Sequence, residues 1–383
     1  MKVVVIGAGI VGASAAYHLA KSGHEVIIVD KREDGEATAA GAGIVCPWLS
    51  NVTDPHWHQL AKEAFLCYSS LVEELGAFGE GNLGYKLVGA MRVSEDETEL
   101  DRIEVLVRER KEVSSEVGEI SRLDSEGVQK LFPPLKEGFG AVHVTGGARV
   151  DGRLFRDAML RAAKNVGAIV LEGTGQLISE SVDWKKGKGD PHGEGRVKGV
   201  RINGEVVLAD SVVVTAGAWA KELLETESVS FSVEPQKGQI LHLELDQVDT
   251  GDWPVVLPPS SHYLLAFDGG RIVVGATRET GSGFDYRVTA AGVNEVLTEA
   301  LSVAPGLADG MVKDMRVGFR PVGPDVLPIV GNLRKIPGVV VANGLGASGL
   351  TLGPYIGRLA GEIVTGTVSA EFDLSPFSPE RMV

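Results

Sequence analysis

Residues 2–30 read KVVVIGAGIVGASAAYHLAKSGHEVIIVD, and this stretch decides the fold. Lys2 to Ile6 is a short β-branched run suited to a strand buried on both faces. An alanine-rich helix is expected over residues 10–21, closed by Ser22-Gly23, and Glu25 to Asp30 is a second buried run. Strand, helix and strand in that order form a βαβ unit, which requires a parallel sheet. Between the first strand and the helix lies Gly7-Ala8-Gly9-Ile10-Val11-Gly12, a G-x-G-x-x-G motif. Gly7 permits the tight turn, Gly9 lets the backbone approach a pyrophosphate, and Gly12 lets the helix pack closely. The helix N-terminus then offers amides and partial positive charge to phosphates. All six motif residues, Ala8, Ile10 and Val11 included, are therefore candidate cofactor-binding positions. Asp30 ends the second strand 18 residues after Gly12, where a carboxylate accepts hydrogen bonds from an adenosine ribose. A free acid there disfavours a 2′-phosphate, so NADP is a poor fit, whereas NAD and FAD share the motif.

Composition narrows the class. The 383 residues suffice for about two domains. At 44% hydrophobic and 23% charged the chain is globular, not disordered or fibrous. Glycine is in excess, 50 residues or about 13% against a usual ~7%, which points to many turns and close backbone contacts. A net charge of −15 repels nucleic-acid backbones and anionic lipid, so nucleic acid is not an expected partner. Cys46 and Cys67 are too few for a disulfide framework or a four-thiolate site. The strand begins directly after Met1, so a cytoplasmic location is expected. The apolar stretch from Val339 towards Ile356 is interrupted by glycines and Pro354, so no integral membrane segment is expected. Peripheral membrane association and a homo-oligomer stay open.

Further along, helices are expected over 58–75, within 95–117 and over 154–166, with a strand at 169–171. A hairpin-like region follows over 177–210, its tip at Lys185 to Asp190. A buried strand covers Ser211 to Thr215, and antiparallel strands are expected between 238 and 277. Residues 35–46 read as a small-residue loop. The final 45 residues return to strand, glycine-rich loop and helix. Parallel-type segments at both ends enclose antiparallel-type segments, so the domains are interleaved. The expected fold is α/β: a Rossmann-like, doubly wound, mostly parallel domain from 1–80, 146–228 and 320–383, and an antiparallel-sheet α+β substrate domain from 81–145 and 229–319.

Four later segments carry a resemblance. Thr38-Ala39-Ala40-Gly41-Ala42-Gly43-Ile44 resembles the loop after the second strand in the D-amino-acid oxidase family of flavoproteins. Thr215-Ala216-Gly217-Ala218-Trp219 is similar to that family's strand-end turn. Gly318-Phe319-Arg320-Pro321 with Asp325, Pro328 and Gly331 resembles its G-x-R-P-x-x-x-D-x-x-P-x-x-G signature. Asn343-Gly344-Leu345-Gly346-Ala347-Ser348-Gly349-Leu350-Thr351 resembles its C-terminal flavin loop. Bacterial D-amino-acid dehydrogenases and glycine oxidases are the nearest members in pattern. The resemblance implies FAD, held by these loops together with Lys31, Val45 and Gln176. The attachment is non-covalent: related sarcosine oxidases link flavin through a late cysteine, and no cysteine follows Cys67 here. Asp30 departs from the glutamate common in the family.

The implied reaction is oxidative deamination of a D-amino acid, with glycine or sarcosine-type amine oxidation as the alternative. Dioxygen, a quinone or another electron carrier would reoxidise the flavin. Arg320 is the expected carboxylate anchor, since a guanidinium grips a carboxylate with two charge-assisted hydrogen bonds; a structural salt bridge is its bland alternative. Tyr263, in Ser261-His262-Tyr263-Leu264, is similar to a glycine oxidase tyrosine that contacts the carboxylate, though a tyrosine before an apolar strand is often core. Ala347 stands where glycine oxidases carry an arginine, which argues against restriction to glycine. No metal is expected: His56 and His58 lack a third partner and read as solvent-facing. Cys46 reads as a buried small residue, His18 as a helix residue on the sheet, and Trp48 as pocket wall or core. An NAD-dependent dehydrogenase or a non-catalytic dinucleotide sensor would leave the Arg-Pro signature and the C-terminal loop unexplained.

Overall fold

The computed structural model describes residues 1–179, 195–370 and 372–381; the expected loop tip at Lys185 to Asp190 lies outside them. Strands Lys2–Ile6 and Glu25–Asp30 flank the helix Ile10–Lys21, as read from the sequence. They form the middle of a six-stranded sheet. Ser211–Val214 and Val339–Asn343 extend it in parallel on one side and Ile169–Glu172 on the other. The edge strand Ile329–Asn332 runs antiparallel.

Alternation along these strands explains the layers. Val3, Val5, Val26 and Ile28 turn to one face, packed with the helices Ile10–Lys21, Gly152–Asn165 and Gly349–Thr365. Val4, Ile6, Ile27 and Val29 turn to the other. That face is covered mainly by a three-stranded antiparallel sheet, Gly175–Ser179, Val197–Ile202 and Glu205–Leu208, with the short helix Ala220–Glu225 beside it. The glycines and proline of the C-terminal helix have a packing reason. A Cβ at Gly357 would lie 2.3 Å from the Val11 carbonyl oxygen, and Ser14 donates to the carbonyl of Pro354. Gly357 thus allows the first and last helices to cross in close contact.

The second sheet has nine strands. Glu234–Glu244 pairs with Arg271–Gly275 and the short Glu279–Thr280 on one side and with the edge strand Met311–Val322 on the other. Tyr263–Ala266, Val255–Leu257, Ala90–Ser94, Gly140–Val144 and Ile120–Leu123 continue it, antiparallel except for the pair 255–257 with 90–94. The helix Ala290–Val303 packs on it through Val296, Ala300 and Val303. Glu97–Val113 buries Leu100, Ile103 and Val107, whereas Val113 at its end is exposed. The loop expected at 35–46 contains one helical turn, Ala37–Ala40, and a two-residue strand, Ile44–Val45.

Several single-residue expectations change. His18 is half-buried on the helix Ile10–Lys21, and burial draws its pKa from 6.5 down to about 4 against the opposing charge of Glu74. Trp48 is core, donating from Nε1 to the Gly146 carbonyl at 2.8 Å. His56 is exposed, but His58 is half-buried, its Nε2 2.6 Å from the Val52 carbonyl oxygen and 2.9 Å from Arg110. Burial pushes both the Cys46 and Cys67 thiols up to about 12, so neither is a ready nucleophile. Among the described residues no helix is long and apolar enough to cross a membrane.

Candidate active site

A cavity of about 900 Å³ is walled by residues of both large sheets, Ile6 and Val29 from one and Ile240, Tyr263 and Arg320 from the other. Its first end is built by the βαβ unit. Gly7 adopts φ +103, and a Cβ there would lie 2.5 Å from the Thr215 carbonyl oxygen. A Cβ on Gly12 would lie 1.8 Å from the Gly7 carbonyl oxygen, so only glycine lets the helix start this close to the turn. The Thr215 hydroxyl lies 2.8 Å from that same carbonyl and secures it. Gly9 caps the helix with no side chain and no acid in the first turn; Thr38 takes the Ile10 amide, which leaves the Val11 amide and the partial positive charge of the helix end at the cavity.

Asp30 lines this end with both carboxylate oxygens in use. Oδ2 accepts from the Ala8 amide, and Oδ1 accepts from Arg32 at 2.7 Å. Each oxygen has a further lone pair, so the carboxylate braces the glycine loop and can still accept from a hydroxyl. Lys31 and Gln176 line the same cavity, as do Gly7, Gly9, Ile10 and Val11.

The middle of the cavity is formed by two loops far apart in sequence. The Thr38 hydroxyl accepts from the Ile10 amide at 3.0 Å, and the Thr351 hydroxyl donates to the Ile44 carbonyl at 3.0 Å. Asn343 donates to the Gly217 carbonyl at 2.9 Å, which joins the C-terminal loop to the strand-end turn. Thr38, Gly43, Ile44, Ala216, Gly217, Trp219 and the whole run Leu345 to Thr351 line the wall. Four expected positions do not. The Ala8 amide is spent on Asp30 and Gly12 packs against Gly7. The Ala39 carbonyl accepts from Arg153 and Arg316, and Val45 is core, paired with Ala148.

The far end holds Arg320 and Tyr263. Arg320 lies opposite Gln236 in the pairing of Met311–Val322 with Glu234–Glu244. Its Nη1 donates to the Thr277 carbonyl at 3.0 Å and reaches Gln236 Oε1 at 3.4 Å. Among the described residues no carboxylate pairs with it, so the salt bridge that would make it merely structural is not formed. Burial draws its pKa down from the ordinary arginine value, and Tyr263 draws it back. An arginine nonetheless stays charged. Burial raises the Tyr263 hydroxyl above the ordinary tyrosine value, with Arg320 and Arg278 opposing, so it is a neutral donor. Gly238 makes room: a Cβ there would come within 2.6 to 2.8 Å of the guanidinium.

Sequence reasoning missed Gly238, Gln236, Thr277, Arg278 and Arg92. Gly238 did carry a signal, because a glycine inside a strand often marks a close approach. Arg92 lines the cavity but is partnered, donating to Asn51 with Glu99 at 3.9 Å.

Residues 2–363 match the FAD-dependent oxidoreductase family that contains D-amino-acid oxidase. The chain belongs to that family. It is 47% identical to the uncharacterised oxidoreductase YurR of Bacillus subtilis over 98% of each chain. The crystal structure of iminodiacetate oxidase from Chelativorans sp. BNC1 is 47% identical, with a TM-score of 0.92 over 98% of each chain. Glycine oxidase from Geobacillus kaustophilus is 27% identical, with a TM-score of 0.84 over 100% of this chain and 98% of the other. This family member is therefore an FAD-dependent oxidoreductase, and its residues suit that cofactor. The glycine loop and uncapped helix suit a pyrophosphate, Asp30 suits a ribose, and the cavity continues past two tied loops to a cationic end.

Proposed function

We propose that this enzyme oxidises the C–N bond of a small amine whose α-carbon carries a carboxylate. The observation that carries the reading is Arg320: a half-buried cation in the cavity wall, held by neutral acceptors, with no acid to neutralise it. A charge drawn partly out of water without a counter-charge is costly, and a substrate carboxylate would offset that cost. Tyr263 donates a second hydrogen bond to the same carboxylate, so the α-carbon is presented in one orientation. Such positioning supplies up to ~7–11 kcal/mol of a barrier. FAD is held by Gly7, Gly9, Ile10, Val11, Asp30, Thr38, Gly43, Ile44, Ala216, Gly217 and Leu345 to Thr351, within the cofactor segments 1–80, 146–228 and 320–383. Bound FAD supplies the acceptor for the hydride equivalent, and the imino product hydrolyses to a carbonyl acid and an amine or ammonia. Segments 81–145 and 229–319 present the substrate.

D-amino acids and secondary amino acids share this anchor. The likeness to iminodiacetate oxidase and glycine oxidase supports the amine-oxidase side. The test is Arg320→Lys, which keeps the charge and loses the planar fork. Anaerobic flavin reduction should slow by about 30-fold to several thousand-fold (~2–5 kcal/mol) for carboxylate substrates and little for the decarboxylated amines. Equal losses on both, or none, would refute the anchor. A panel of glycine, N-methylglycine, iminodiacetate and D-alanine identifies the amine.

A further inference from the structure

Arg320 is not the only unpaired guanidinium at the substrate end. Arg278 lines the same cavity, immediately after the Thr277 residue whose carbonyl holds Arg320. Its side chain is exposed, and among the described residues it makes no hydrogen bond or ion pair. It is close enough to lower the pKa of both Arg320 and Tyr263. Neighbouring Glu279 does not neutralise it, since that carboxylate is committed to Gln239, Thr277 and Lys237. Of the acids that line the cavity, Asp30 accepts from backbone amides, Glu33 pairs with Lys31, Glu36 with Arg156 and Asp325 with Arg381, and neither these nor Glu222 forms an ion pair with Arg278 among the described residues. Two like charges on one stretch of cavity wall set up a positive field that favours an anionic occupant, with solvent at the exposed Arg278 screening part of it. One carboxylate compensates only one of them. We infer that Arg278 receives a second carboxylate, so that the preferred substrate is a small dicarboxylate amine, with Arg320 on the carboxylate of the carbon being oxidised and Arg278 on the other. Ala347, a methyl in the same cavity, leaves room for the second arm.

The inference rests on the proposed amine oxidation, and one substrate pair separates the two. Iminodiacetate and N-methylglycine are both secondary amines and differ by one carboxylate. Wild-type enzyme with its FAD should be reduced by both, with higher kcat/KM for iminodiacetate. Arg278→Met should cut the iminodiacetate to N-methylglycine ratio by about 30-fold or more through KM, with FAD content retained. Arg278→Lys should restore part of the ratio. If Arg278→Met leaves the ratio unchanged, lowers both substrates alike or releases FAD, Arg278 is not the second anchor and the amine oxidation stands. If neither substrate reduces the wild-type flavin, both the inference and the amine-oxidase reading fall.

Discussion

Gly238→Ala tests the substrate end without touching a hydrogen-bonding group. Gly238 sits within the strand Glu234–Glu244 with an ordinary backbone conformation, so alanine brings no backbone strain. Its Cβ would lie 2.6 Å from one terminal nitrogen of Arg320 and 2.8 Å from both the other and the central carbon. Comfortable contact needs about 3.5 Å, so the guanidinium must retreat by about 1 Å. Because it is the far end of a flexible side chain that yields, the cost to folding should be slight. Orientation is more sensitive: a 1 Å misplacement can cost about 100-fold in rate, or ~2.7 kcal/mol. Stopped-flow flavin reduction under anaerobic conditions should therefore show a 10- to 100-fold loss of kcat/KM for the best carboxylate substrate, as order of magnitude. FAD content and Tm should stay near wild type. Full activity in a folded Gly238→Ala enzyme would refute the placement of the guanidinium as the carboxylate anchor. A large fall in Tm would show instead that the strand, not the side chain, had moved.

Asp30→Ala removes an acceptor from the Ala8 and Arg32 amides as well as from the cofactor. FAD affinity, measured by fluorescence on dilution, should weaken by ~1–3 kcal/mol, and turnover at saturating FAD should change little; unchanged affinity would exclude Asp30 as a ribose partner. Acid should destabilise the fold through His242, which burial lowers from 6.5 to about 4, with Arg316 and Arg271 adding to the shift. Protons then bind the unfolded chain more readily. The contribution is complete above pH 6.5 and is lost as pH falls through about 4, amounting to roughly 3 kcal/mol. His242→Gln should flatten the fall of Tm between pH 6.5 and 4, and an unaltered slope would show that other groups govern it.

Much of the cofactor half was legible because its signals are local. The strand at residues 2–6, the glycine motif, the helix at 10–21 and the acid at Asp30 follow one another in the chain, and each reflects a backbone requirement of its own neighbourhood. The loops at 38–44 and 343–351 could be named from their pattern. That they are tied through Thr351 and Ile44 could not, because 307 residues separate the two partners.

The sequence by itself determined the βαβ start, the interleaving of parallel-type and antiparallel-type segments, and the Gly-Phe-Arg-Pro segment that carries Arg320. Only the tertiary structure decided what surrounds that arginine. Gln236 and Gly238 meet it from the paired strand Glu234–Glu244, Tyr263 from two strands further along the same sheet, and Thr277 and Arg278 from the turn that follows Arg271–Gly275. Hydrophobic alternation reports which face a residue occupies, not which strand lies beside it. The same pairing decides that Arg320 lacks an acid partner and that Arg278 stands nearby. Charge compensation is a property of through-space neighbours, and no local pattern in the chain records it.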